Sequence, residues 1–279
     1  MENNYLTPLE IAEKYVTIGA KKAYQPFIKL FPLSILAGAF IALASQGSNV
    51  AIHTIGSIGL AKALAGLLFS TGLIMVIITG AELFTGNTLI IVSCLDKKVS
   101  WSQMLRKWLI VYIGNFIGSI IVVYFIYKSG QLNTSDSLLG GFTIKTAVNK
   151  VSYEFGHAFF MGILCNWLVC MAVWMSAAAK DITGKIWAIF FPIWLFITSG
   201  FEHSVANMYY IPIGIFAKSN SNWVQAAISM GIAQEKLDSL NWANMIIKNL
   251  LPVTLGNIIG GAIFVGAFYW FSFLFKKDE

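Results

Sequence analysis

Two short stretches place groups capable of binding and proton chemistry inside otherwise apolar sequence. Ser199–Ile211 reads Ser-Gly-Phe-Glu-His-Ser-Val-Ala-Asn-Met-Tyr-Tyr-Ile, and Gly80–Asn87 reads Gly-Ala-Glu-Leu-Phe-Thr-Gly-Asn. Both contain Gly-x-Glu-x-x-x-x-Asn. A charge at the centre of a bilayer costs roughly 2.5–3.5 kcal/mol on insertion scales, so such groups face a pore, a cavity or a partner. Of 13 acidic residues, only Glu82 and Glu202 lie deep in apolar runs. The symmetric pair could relay protons or hold a metal, but the expectation is that each carboxyl caps backbone N–H groups freed where a helix breaks. Asn87, Asn207, Asn115 and Asn257 are read as backbone partners of irregular turns, with Asn257 moved towards the pore. His203 has no counterpart in the first stretch, where Leu83 stands, and it is the only histidine in the middle of an apolar run. Imidazole changes charge nearest neutrality, so in a pore it could attract an anion as the cation or hand it a proton. Thr85 offers a hydroxyl to a small ligand. Phe69, Leu73, Leu83, Phe84 and Phe196 surround these groups. At helical spacing such residues are ordinary core or lipid contacts, but beside a polar centre they would form constrictions that exclude hydrated ions.

The elements that must position these groups span a membrane. The 279 residues are 57% apolar and 11% charged, with a positive mean hydropathy of +0.71, whereas soluble domains carry about a quarter charged residues. The net charge of +6 comes almost wholly from residues outside the apolar runs; it suits an anionic leaflet and calls for no nucleic acid. Cys94, Cys165 and Cys170 form neither a disulfide framework nor a metal or haem signature and are read as small buried hydrophobes. Residues 1–25 contain Glu2, Glu10 and Glu13 and no apolar core segment, which argues against a signal peptide. Thr7-Pro8-Leu9-Glu10 reads as a capping box with Pro at the first helical position. It opens an amphipathic helix suited to the membrane surface.

Six spanning segments are expected at about 27–44, 61–95, 108–127, 155–179, 186–216 and 247–275. The second and fifth are too long for one helix of about 20 residues, and each contains a Gly-x-Glu stretch. Gly114-Asn115-Phe-Ile-Gly118 in the third is matched by Gly256-Asn257-Ile-Ile-Gly260 in the sixth. The order therefore occurs twice, and an odd number of spans per half inverts the second half, as in transporters with discontinuous helices. The organisation expected is a cytoplasmic helix over 1–25 and a channel domain over 26–276, with repeats at 26–128 and 155–276. With both termini inside, 12 of the 19 Lys and Arg fall on the cytoplasmic side, Lys276 and Lys277 among them, in keeping with the positive-inside rule.

Gly80–Thr85, Ser199–Met208, Ile211-Pro-Ile-Gly214 and Pro252–Gly261 together make the chain closely resemble the formate/nitrite transporter family. The resemblance covers nearly the whole length, and the formate channels within the family are nearest in motif. It implies an all-α polytopic protomer of aquaporin-like fold, with six transmembrane helices in two inverted three-helix repeats, helices two and five broken, and one pore per protomer of a homopentamer. Carried over by motif, His203 and Thr85 match the central pore residues, with Asn257 close by. Phe69, Leu73, Leu83, Phe84 and Phe196 match the apolar constrictions and flexible loop. Lys150 matches a lysine near the outer vestibule that attracts anions, and the N-terminal helix matches a segment able to gate.

The resemblance implies transport of small monovalent anions across the plasma membrane, formate first and nitrite or hydrosulfide as alternatives, with proton coupling through His203 left open. No cofactor is expected. A water- or glycerol-type pore fits the inverted repeat but lacks paired Asn-Pro-Ala motifs. A membrane enzyme or redox subunit would need metal-ligand clusters or paired axial histidines that one central His does not supply.

Overall fold

A computed structural model describes residues 4–275, and its regular elements are helices. They are α1 (Pro8–Ala23), α2 (Phe27–Ile52), α3 (Ile58–Thr79), α4 (Phe84–Leu95), α5 (Trp101–Lys128), α6 (Leu138–Val151), α7 (Phe155–Ala178), α8 (Ile182–Ser199), α9 (Ser204–Ala217), α10 (Ser221–Ser229), α11 (Gln234–Ser239) and α12 (Trp242–Phe273). Among them α2, α3, α5, α7, α8 and α12 are long and apolar enough to cross a membrane. The long second segment of the sequence resolves into α3 and α4, and the fifth into α8 and α9, so the fold is the expected six-span bundle with two broken helices.

The Gly-Asn-x-x-Gly pattern has a packing reason. Glycines at i and i+4 remove the side chains from one helical stripe and let two backbones approach. A Cβ on Gly118 would fall inside the carbonyl of Ile35, and one on Gly256 inside that of Phe159. Thus α5 lies against α2 and α12 against α7 at backbone contact, and the asparagine beside each glycine reaches across. Gly256→Val should therefore force α7 and α12 apart and cost about 1–3 kcal/mol, the usual range for overpacking. Gly47→Ala, whose Cβ meets nothing within 4 Å, is the control. Thermal unfolding in detergent checks this; equal stability of the two variants would refute the packing account.

Helix α1 opens as expected. The Thr7 hydroxyl accepts from the Glu10 N–H, and the Glu10 carboxylate accepts from the Thr7 N–H. Rather than lying apart on the membrane surface, α1 is docked under the bundle. Tyr15 stacks on Trp174 at 4.4 Å and donates to the Val173 carbonyl, while Ser93 donates to the Val16 carbonyl and Gln103 to that of Ala23. Helix α6 stands before α7 as α1 stands before α2, and each carries a lysine in its last turn. Large apolar residues of the spans, such as Leu109, Phe125, Phe160, Phe191 and Phe271, are exposed on the outside of the single protomer. The three cysteines are free and buried.

Candidate functional site

Both helix breaks begin with a glycine in the left-handed region: Gly80 (φ 78°) ends α3 and Gly200 (φ 77°) ends α8. A residue with a Cβ is strained there, so glycine is the natural terminator. The backbone beyond each glycine is held from outside its own helix. In the first break Glu82 N–H donates to the Leu33 carbonyl and Phe84 N–H to Asn115 Oδ1. In the second, Glu202 N–H donates to the Met161 carbonyl and Ser204 N–H to Asn257 Oδ1. Asn115 Nδ2 then donates to the carbonyls of Ser34 and Glu82, and Asn257 Nδ2 to those of Gly162 and Glu202.

The breaks are thus braced by Asn115 and Asn257 and not by the carboxylates. A break frees N–H and C=O groups together; an amide can both accept and donate, whereas an ionised carboxylate can only accept. Asn257, placed towards the pore by sequence, is fully buried with three hydrogen bonds to backbone. Its geometry is that of a brace.

The two carboxylates turn instead to lysines. Lys22 Nζ lies 2.8 Å from Glu82 Oε2 and Lys150 Nζ 2.8 Å from Glu202 Oε1. Glu202 Oε2 also accepts from Asn207 Nδ2 at 2.6 Å and Asn249 Nδ2 at 3.2 Å, and Asn249 Nδ2 lies 2.8 Å from the Lys150 carbonyl. Lys150 also sits 5.1 Å from the Tyr210 ring centre. Lys150, which the family resemblance matches to an anion-attracting lysine near the outer vestibule, is therefore ion-paired beside the second break. Asn207 supports Glu202, whereas the Asn87 side-chain amide has no hydrogen-bond partner among the described residues; its backbone N–H donates to the Leu83 carbonyl and its carbonyl accepts from Trp108 Nε1.

His203 and Thr85 meet where the two breaks face each other, with Nε2 to Oγ1 at 2.9 Å and both residues buried. The other ring nitrogen, Nδ1, accepts the Ala206 N–H at 3.1 Å and caps α9. An acceptor at Nδ1 assigns the ring proton to Nε2, so His203 donates to Thr85. The Thr85 hydroxyl makes no other hydrogen bond among the described residues, which leaves its own proton for a bound acceptor. Its carbonyl is fixed by Thr88 Oγ1 at 2.6 Å, with Asn166 Nδ2 and Cys170 Sγ each at 3.3 Å.

Phe196 lies 6.0 Å from the His203 ring and packs edge-to-face on Phe69 at 5.6 Å, placing two of the expected apolar residues against the polar centre. Leu73 and Leu83 line a cavity of about 820 Å³ between α1 and the bundle, together with Glu82 and lysines that include Lys14, Lys22 and Lys185. Burial, with the Lys185 ammonium nearby, pulls the Lys14 amine below the ordinary lysine range. The Phe84 ring does not face this cavity; it packs between Trp108 and Tyr112 on α5.

Lys22, Asn166 and Asn249 were missed as site residues. Lys22 pairs with a residue 60 positions away, and no local pattern marks that. Asn249 had a weak signal: it stands eight residues before Asn257, as Lys107 stands eight before Asn115. Both are buried.

Six spans, two opposed breaks and one buried His–Thr pair at their meeting point define a channel-type membrane transport protein. The chain belongs to the formate/nitrite transporter family, whose profile, described as Formate/nitrite transporter, matches residues 9–271. It is 42% identical to the formate channel FocA of Haemophilus influenzae over 94% of this chain and 93% of that one. It is 38% identical to the formate channel FocA of Escherichia coli K12 over 98% and 96%. A solved pentameric formate channel with formate bound, 38% identical, superposes with a TM-score of 0.79 over 91% of this chain and 99% of its own. The family is one of multi-pass membrane transporters, not of enzymes.

Proposed function

We propose that this chain conducts formate through a pore whose polar centre is Thr85 and His203. The observation that carries the reading is the 2.9 Å contact between Thr85 Oγ1 and His203 Nε2 inside an apolar collar. Dehydrating a small anion costs several kcal/mol, and Phe69 and Phe196 offer nothing in return. The free Thr85 proton can bond a carboxylate oxygen, and the Nε2–H can bond a second once it leaves Thr85 Oγ1; hydrogen bonds to charged groups contribute about 1.5–3 kcal/mol. Passing a proton on through His203 requires reloading at Nδ1, which means releasing the Ala206 N–H. The arrangement favours a neutral ring acting as donor.

Proteoliposomes offered formate, nitrite, hydrosulfide, acetate and lactate at two pH values test this. Formate should enter fastest, and preference for another anion would reassign the substrate. Thr85→Val should slow formate about 10- to 100-fold, the equivalent of one charge-assisted hydrogen bond. His203→Phe should lose most of the flux, and an unchanged rate and pH profile in that variant would remove His203 from the mechanism.

The remaining assignments follow the same reading. Asn115 and Asn257 hold the breaks, Glu82 and Glu202 tie them to Lys22 and Lys150, and Leu73 and Leu83 narrow the mouth between α1 and the bundle. That mouth is read as cytoplasmic from the lysine excess; Lys276 and Lys277 lie outside the described residues. A homopentamer is supported by the exposed apolar faces and by the pentameric relative.

A further inference from the structure

The two mouths differ where the sequence makes them look alike. Each break carries a carboxylate paired to one lysine at 2.8 Å, Glu82 with Lys22 and Glu202 with Lys150. A charge held that close to its opposite projects little field, so neither lysine is a strong long-range attractor. The first break has nothing over its glycine: a Cβ on Gly80 would meet no atom within 4 Å. The second has Lys62. Its Nζ lies 2.9 Å from where a Gly200 Cβ would be, although the lysine comes from the first turn of α3 in the other half of the chain.

Lys62 is exposed and, among the described residues, has no carboxylate within 4 Å and no hydrogen-bond partner for its amine. Of the other lysines expected on that side, Lys236 and Lys248 are likewise exposed and without a partner among the described residues, but neither is set over a helix break, and three more are engaged. Lys145 donates to the Met230 carbonyl, Lys218 to those of Leu237 and Leu240, and Lys128 lies over the Tyr127 ring. Gly200 also caps the C-terminus of α8, whose free carbonyls give that end a partial negative charge. The helix end favours the ammonium beside Gly200 without neutralising it as a carboxylate would.

We infer that Lys62, and not Lys150, is the residue that captures anions at the mouth on the Lys150 side, delivering them past Gly200 to His203. The second break is then a loop with two lysines of different duty. Lys150 holds the loop through Glu202, and Lys62 supplies the uncompensated charge. Glycine at 200 is required for its left-handed backbone, and the space above it is the space Lys62 occupies.

The inference rests on the anion-channel reading above, and the experiment separates the two. Initial uptake of formate, and in parallel of nitrite, is measured in proteoliposomes at low and high ionic strength for the wild type, Lys62→Gln, Lys62→Arg and Lys128→Gln. Steering by one exposed charge is strong at low salt and screened within a Debye length of about 8 Å at 0.15 M. Lys62→Gln should therefore slow uptake about 2- to 5-fold at low salt and converge on the wild type at high salt. Lys62→Arg should retain the wild-type rate, and Lys128→Gln should change nothing. Equal uptake by Lys62→Gln and wild type at low salt would overturn the inference. So would a deficit that is the same at every salt, which marks a structural role, or an equal loss in Lys128→Gln. If wild-type vesicles carry nitrite but not formate, the formate reading fails, and the nitrite arm still reads the lysine.

Discussion

Lys150→Met should be among the most damaging single substitutions in this protein, lowering stability by about 3 kcal/mol. Breaking a buried ion pair from one side typically costs 3–5 kcal/mol because the partner charge is left unpaired. The lower end applies because the Lys150 side chain keeps 16% of its exposure, while Glu202 keeps only 2%. The stranded carboxylate would still accept from Asn207 and Asn249, but two amides do not replace an ammonium. Neutralising both sides should recover much of the loss, so Lys150→Met with Glu202→Gln is expected to be more stable than Lys150→Met alone. Lys22→Met should cost about 1 kcal/mol or less, because that lysine is 33% exposed and exposed pairs contribute little. Thermal or denaturant unfolding in detergent measures these variants beside the wild type and Glu202→Gln alone. Strict additivity in the double variant would show that the pair does not act as a unit.

Asn257→Ala carries the second large effect. It strands the Ser204 N–H and the carbonyls of Gly162 and Glu202 where no water reaches, since Asn257 is fully buried. Each unmet backbone group costs about 1–3 kcal/mol, so a loss of about 3 kcal/mol or more is expected. Transport should fall with it, because Ser204 N–H anchors the residue that follows His203. Asn115→Ala should behave alike, through Phe84 N–H and the carbonyls of Ser34 and Glu82. A variant at 257 that alters anion preference while unfolding like the wild type would instead make Asn257 a pore contact.

The architecture was legible because membrane physics leaves few choices. Apolar runs of the right length must be helices, and a Gly-x-Glu inside an overlong run must be a break. Two matched breaks separated by an odd number of crossings must face opposite ways. The meeting of His203 with Thr85 could also be anticipated, from the positions where the two halves cease to match. Helix α6 could not, since only its packing against α9 and α10 reveals it as the counterpart of α1.

Residue types and spacing by themselves determined the spans, the inverted halves, the two breaks and the polar centre, because these depend on burial and backbone hydrogen bonding along the chain. Tertiary structure alone decided which partner each polar group takes. It gave the carboxylates to Lys22 and Lys150, the bracing to Asn115 and Asn257, the ring proton of His203 to Nε2, and an open position above Gly200 to Lys62. Those outcomes depend on distances between segments far apart in sequence, and a hydrogen bond is decided by tenths of an ångström that no pattern of residues encodes.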